Sequence, residues 1–340
     1  PPRSTLSSSS AASDVYKRQI RTYRAYTFSM HVPDGFMNVT MSAATGVISF
    51  GTLWAYIRSA KDLIADKFIA LTGMMSALIF VLQMINFPIA AGTSGHLLGG
   101  ALAVIVLGPR LGLICLSVVV IIQSLLFADG GLSALGVNVL NMAIVTSTTS
   151  WFIVKYWIKF IGKNKTSIVS VSVLAGILSV VFSSIAFTIQ YAIGGTISIP
   201  VGTVLLAMVT THFIIGFGEG IITALIITLL IRVRHDLIYA YERNGENTTK
   251  VSFYGLFIIL ILLLSLITPF ASSSPDGLES VAEEFGFTQT DGIVLLLDDY
   301  GISAVNNDFI STVLSALLGV TVLAVMFNLI ISRRKSGKNS

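Results

Sequence analysis

Apolar stretches long enough to cross a lipid bilayer, separated by short polar breaks, make up most of this chain. A hydrocarbon core of about 30 Å takes roughly 20 helical residues. Runs near that length occur at 41–57, 68–88, 111–127, 134–158, 167–192, 201–232, 252–269 and 309–332. Inside a bilayer no water is present to bond the backbone, so such runs must close their hydrogen bonds internally as helices. Only 11% of the 340 residues are charged, where a soluble domain carries about 25%. A water-soluble enzyme, a nucleic-acid binder and a disordered chain are therefore all poor fits. The expected fold class is all-α: a polytopic membrane helical bundle of about seven transmembrane helices with a two-helix C-terminal module.

The net charge of +4 suggests a polyanion partner until its location is read. Residues 1–29 hold Arg3, Lys17, Arg18, Arg21 and Arg24 against Asp14, and from Met30 onward 16 basic residues balance 16 acidic ones. The opening segment is Ser-rich and lacks the apolar core of a signal peptide, so 1–29 reads as a non-native or disordered leader and Met30 as the expected start. A ninth apolar run, 97–107, is short and flanked by glycines. If it also crosses, and Met30 lies outside, every basic residue from Met30 onward falls in a loop on the inner side, as cytoplasmic loops require. The C-terminus is then cytoplasmic. The outer connection after Pro269 carries Asp276, Glu279, Glu283, Glu284, Asp291, Asp298, Asp299 and Asp308 and no basic residue. It is either a solvated loop or a focus for cations. The polar stretch 236–250 reads as a cytoplasmic linker between a membrane domain at 30–235 and a C-terminal module at 251–340.

Four histidines are present. His235, between Arg234 and Asp236, reads as a solvated loop residue. His31 and His96 both fall at the outer face beside Gly- and Pro-rich backbone, in MHVPDGF and AAGTSGHLLGG. If Met30 is the first residue, its amine, the peptide nitrogen of His31 and the Nδ1 of the His31 imidazole can wrap one ion in fused chelate rings. Imidazole, with an ordinary pKa near 6.5, and a terminal amine, near 7.7–8.0, both lose their protons to a metal at modest cost near neutrality. A fourth nitrogen from His96 would complete a plane. That array suits Ni(II) or Cu(II) and can accommodate Co(II), whereas zinc prefers a tetrahedron and magnesium or calcium prefer oxygen. The competing reading is two solvated outer histidines.

His212 and Glu219 lie seven residues apart in one apolar run, nearly two helical turns, and so share a face. An ionisable group at membrane depth suggests function, although a structural polar pair fits these two better than direct ligation. Asn138 and Asn141 read as interhelical hydrogen-bonding residues or as supports behind the ligands. The lone Cys115 provides neither a disulfide framework nor a thiolate cage.

The strings MHVPDGF (30–36), AGTSGHLLGGALA (91–103), LGP (107–109), LLFADGGLSALGVNVLNMA (125–143) and HFIIGFGEGIITA (212–224) together resemble the substrate-binding membrane component of energy-coupling factor transporters for cobalt and nickel, the CbiM and NikM type. PDGLE at 275–279 resembles the small accessory domain that accompanies or is fused to these proteins and assists metal loading. The resemblance implies that Met30, His31 and His96 hold Co(II) or Ni(II) as transported substrate, with no prosthetic group. It also implies a membrane coupling subunit and two cytoplasmic ATPases as partners, in the plasma membrane of a prokaryote. Cobalt uptake would serve cobalamin synthesis, and nickel uptake urease or hydrogenase. The sequence contains no GxxxxGK[ST] phosphate loop, so the chain reads as a transport component and not an ATPase or other enzyme. A passive divalent-cation channel would need repeated polar or acidic rings, but Glu219 is the one acid in an apolar run. An intramembrane metal-dependent hydrolase lacks its HExxH.

Overall fold

The computed structural model describes residues 31–60, 66–89, 93–241, 252–272, 274–276, 297, 300–302 and 304–338. Met30 and the leader lie outside the described residues, as do Glu279, Glu283, Glu284, Asp291, Asp298 and Asp299.

Helix α1 (Val39–Ser59) opens on Asn38, whose side-chain oxygen accepts the Met41 N–H and satisfies an otherwise orphaned donor. Helix α2 (Asp66–Gln83) leads into two short antiparallel strands, β1 (Phe87–Pro88) and β2 (Ser94–Gly95). There follow α3 (Gly100–Phe127), α4 (Leu135–Ile161) with a π-helical turn over Val139–Val145, α5 (Lys165–Gly194) and α6 (Val201–Arg234). The last two are α7 (Phe253–Ser265) and α8 (Asp308–Lys338). Seven helical segments among the described residues are long and apolar enough to cross a membrane. Val47, Phe160, Leu206 and Leu225 are 65–77% exposed on the helix surfaces, a distribution suited to lipid as solvent. The molecule is an all-α, multi-pass membrane bundle.

Helix α3 doubles back on itself. Gly108 has φ +78° and ψ 172°, outside helical space, and Pro109 follows it. A Cβ on Gly112 would meet the Ala103 backbone at 3.1 Å, and one on Gly99 would lie 3.4 Å from the Leu116 side chain. In a straight helix residues nine apart are separated by about 13 Å, so 100–107 and 109–127 must run antiparallel, side by side. The short run at 97–107 is an arm in its own right. Only glycine adopts the Gly108 conformation without strain, and a substituent there would also press on the Tyr239 ring at 3.1 Å. Gly108→Ala should cost about 1–3 kcal/mol and lower the melting temperature in detergent. Gly51→Ala, which meets nothing within 4 Å, should not.

Helices α5 and α6 approach closely at glycines: Gly176 faces the Gly220 backbone, and a Cβ on Gly216 would lie 2.9 Å from Ile177 Cα. Close backbone approach at small residues replaces the hydrophobic driving force that helices lack in lipid.

The bundle has two chemically distinct ends. At one, Arg110 donates to the Ser59 carbonyl (2.9 Å), Lys67 lies 3.7 Å from Asp236, and the Tyr239 and Ala240 N–H groups bond Val106 and Ile105 at the base of the α3 hairpin. At the other, residues 31–38, the β1–β2 pair, the end of α3 and residues 272, 274–276, 297 and 300 converge.

Candidate metal-binding site

The segment after His31 is stitched to the bundle by its backbone. The Asn138 side chain pairs with Val32 on both edges, its Oδ1 accepting the Val32 N–H (2.9 Å) and its Nδ2 donating to the Val32 carbonyl (3.1 Å). Gly131 N–H donates to the same carbonyl at 3.0 Å. Asp34 accepts from the Ser133 N–H and hydroxyl. Asn138 therefore holds the arm in place.

These bonds set His31, 3% exposed, against the end of α3. Its Nδ1 lies 2.8 Å from Asp129 Oδ1 and 3.1 Å from the Asp129 carbonyl. Asp129 reaches this position because Ala128 ends the helix in a left-handed conformation, φ +53°. The Tyr300 hydroxyl donates to the other carboxylate oxygen at 2.6 Å, and the Tyr300 ring stacks on Phe127. Burial by itself would lower the His31 pKa, but the charge and hydrogen bonds of Asp129, with a further contribution from Asp276, outweigh it and raise the value. Burial likewise opposes ionisation of Asp129, and His31, Tyr300 and His96 together override it and lower its pKa. The two form a buried ion pair.

His96 sits in the loop between β2 and the short arm of α3, and that loop is fixed from below. Glu219 on α6 accepts the Leu98 N–H (2.7 Å) and the Gly99 N–H (3.2 Å), two donors at a helix start that no carbonyl can reach. Gln83 Nε2 donates to the Leu98 carbonyl at 2.9 Å. His96 is 7% exposed, and its Nδ1 faces the Leu97 carbonyl at 3.2 Å. Its ring stands edge-on to that of His31, with centroids 5.7 Å apart and planes at 82°.

Both rings line one cavity of about 60 Å³, room for an ion and a few waters. Asn141, His212 and Asp276 contribute to its wall. Asn141 forms a reciprocal amide pair with Gln190, at 3.0 and 2.7 Å. His212 is tied through Nδ1 to the Met208 carbonyl one turn back, at 2.8 Å. Asp276 Oδ2 lies 4.0 Å from His96 Nε2.

The structure thus gathers His31, His96, Asn138, Asn141 and His212 around one space and places Glu219 behind the His96 loop, while Met30 lies outside the described residues. His212 and Glu219, seven residues apart, do different things: the first lines the cavity and the second holds backbone. Asp129 and Tyr300 did not stand out in the sequence as site residues, and Asp276 stood there only as one of the outer acids that could attract cations. The two aspartates stand in the ADGG and PDGLE strings, where an acid beside glycine at the end of an apolar run was the available signal. One detail differs from the chelate read in the sequence. His31 Nδ1 faces Asp129, because a buried carboxylate draws the proton-bearing nitrogen toward itself, so the ring has to turn about Cβ–Cγ to offer Nδ1 to an ion. Among the described residues no three of His, Cys, Asp and Glu converge to cage a metal with side chains alone.

Fold and site define a multi-pass helical membrane protein with two buried histidines at one end of the bundle. Residues 31–237 match the model of the CbiM family, the cobalt uptake substrate-specific transmembrane region, and residues 250–335 match the PDGLE domain. The chain belongs to the CbiM family and carries a PDGLE domain behind it. The NikMN protein of Archaeoglobus fulgidus is 31% identical over 88% of this chain and 98% of its own length. The fused nickel transport protein NikMN of Rhodobacter capsulatus is 26% identical, over 86% of this chain and 95% of its own. The cobalt transport protein CbiM of Geobacter sulfurreducens is 27% identical, over 78% and 81%. A crystal structure of a truncated transition metal transporter superposes with a TM-score of 0.54 at 25% identity, covering 59% of this chain and 98% of that one.

Proposed function

We propose that the chain is the substrate-specific membrane component of an energy-coupling factor ABC transporter that imports Co(II) or Ni(II). The ion is taken up by the Met30 amine, the His31 peptide nitrogen and imidazole, and the His96 imidazole. The observation that carries this reading is the meeting of His31 and His96, 65 positions apart in the sequence, in one buried cavity with ring centroids 5.7 Å apart. Two imidazoles bound to one ion through nitrogens about 2.0–2.1 Å from it have centroids roughly 4.5–6.5 Å apart. His212, Asn138, Asn141 and Glu219 shape and hold the site without binding the ion.

The histidine end faces outward and the Lys- and Arg-bearing end faces the cytoplasm, with the native N-terminus outside. The membrane domain occupies 30–235, the linker 236–250 and the PDGLE-type module 251–340, a division that the family-model matches at 31–237 and 250–335 support. Energy comes from a transmembrane coupling subunit and two cytoplasmic ATPase subunits, and this chain catalyses no reaction of its own. Isothermal titration of Ni(II) into the chain beginning at Met30 tests the assignment. His96→Ala should weaken binding at least about tenfold, and an unchanged affinity would overturn the site.

A further inference from the structure

A second cavity, of about 290 Å³, lies at the basic end of the bundle, between the last turn of α1, the turn of the α3 hairpin and α4. Pro109 forms part of its wall from the hairpin, and Ser147, Trp151 and Lys155 from α4. The last three recur every four residues, so they share one helix face and descend from the basic end into the bundle. Phe152, also in the wall, is 49% exposed. The mouth of the cavity therefore lies on the flank of the bundle, where lipid is the solvent.

The chemistry of the wall changes with depth. At the rim Lys155 is exposed, lies 5.9 Å from the centre of the Tyr156 ring and pairs with no carboxylate among the described residues. Arg110, next to Pro109, reaches across to the Ser59 carbonyl at the end of α1 and adds a second cation. The three helices that build the wall contain no Asp or Glu. Two turns deeper, about 12 Å along the helix, Ser147 is 1% exposed, and its hydroxyl has no hydrogen-bond partner among the described residues. The adjacent Thr146 hydroxyl, by contrast, closes on the Met142 carbonyl one turn back. A buried hydroxyl without a partner is costly, and this one borders a space that a ligand oxygen can enter.

We propose that this cavity binds one anionic phospholipid, with its phosphodiester at Lys155 and Arg110, an ester carbonyl accepting from Ser147, and an acyl chain leaving past Phe152. Phosphate, ester oxygens and hydrocarbon follow one another with depth in a phospholipid, and cation, hydroxyl and apolar flank follow one another here. Basic pockets between transmembrane helices on the cytoplasmic side suit anionic headgroups. Trp151, its ring 6.1 Å from that of Tyr239, stands at the depth where amphipathic aromatic rings meet the membrane surface. A free phosphate would satisfy the two cations and leave the deeper Ser147 hydroxyl without an acceptor. A zwitterionic lipid would bring its own ammonium to the cations and gain less. The site depends on the membrane-spanning bundle and is independent of metal binding.

The test uses the full chain carrying Trp54→Phe and Trp157→Phe, which leaves Trp151 as its one tryptophan. It is placed in phosphatidylcholine nanodiscs that contain rising fractions of a phospholipid brominated on its acyl chain, and Trp151 fluorescence is read. Brominated phosphatidylglycerol should reach half-maximal quenching at a mole fraction about tenfold lower than brominated phosphatidylcholine. Lys155→Gln should shrink that preference about fivefold. Lys159→Gln, one turn further along α4 and outside the wall, should preserve it. Ser147→Ala should weaken both lipids alike, because both carry the ester. Equal curves for the two lipids would reduce the site to ordinary lipid contact and overturn the proposal. So would an equal loss in Lys159→Gln, which makes the effect general surface attraction, or loss of the preference in excess inorganic phosphate, which makes the ligand a free anion. Absence of quenching by either lipid also overturns it and points to a protein segment in the cavity. If the double variant does not fold, native mass spectrometry of the wild-type chain decides: it should retain one phosphatidylglycerol under conditions that strip phosphatidylcholine, Lys155→Gln should retain less, and retention of neither lipid overturns the site.

Discussion

Ni(II) should bind the chain beginning at Met30 on the order of a hundredfold more tightly than the same chain with its Met30 amine acetylated. A factor of that size is about 2.8 kcal/mol. Acetylation converts the Met30 amine into an amide with no neighbouring amine to anchor the metal, whereas an amine with a pKa near 8 gives up its proton to the ion near neutrality. The chelate then loses the anchor of its five-membered ring, and the planar preference of Ni(II) can no longer be met by nitrogens alone. His31 and His96 are identical in the two proteins, so the comparison isolates the amine. Isothermal titration of both forms provides the measurement, and equal affinities would sink the N-terminal chelate.

The second large effect is expected far from any ligand. Glu219→Ala removes the acceptor for the Leu98 and Gly99 N–H groups, both buried at the start of the α3 hairpin. Each orphaned donor costs about 1–3 kcal/mol, so the total should fall near 2–5 kcal/mol and appear as a lower melting temperature. The same loss frees the loop that carries His96, and metal affinity should drop with it. Glu219→Gln keeps one oxygen and should retain part of both properties. If Glu219→Ala keeps full affinity and stability, the loop is positioned by something else, with the Gln83 bond to the Leu98 carbonyl the first place to look. A direct ligand role for Glu219 would give a different pattern, with affinity lost and stability intact.

Some of this was readable from residue order. Gly108-Pro109 forbids a continuous helix, and the run 97–107 is too short to be a full span. Their meaning as a hairpin follows from where the basic residues fall. The histidines stood out because so few ionisable groups occur in apolar surroundings. The carboxylates behind them did not. Asp129 meets His31 across 98 residues, and Asp276 comes from a different domain altogether. No periodicity or spacing connects them, since helix packing and an unusual left-handed turn at Ala128 bring them together. Asn138 was legible as a polar residue needing a partner. That its partner is the backbone of Val32, and that it therefore anchors the arm, was not.

The order and length of the apolar runs, with the placement of Lys and Arg, determined by themselves that this chain is a multi-pass helical membrane protein with one basic end, because a bilayer permits no unpaired backbone and penalises charge wherever it is not wet. Tertiary structure alone decided which acid faces which histidine and that the C-terminal module reaches the same cavity. Those distances depend on how whole helices dock against one another, and local sequence carries almost no record of that docking.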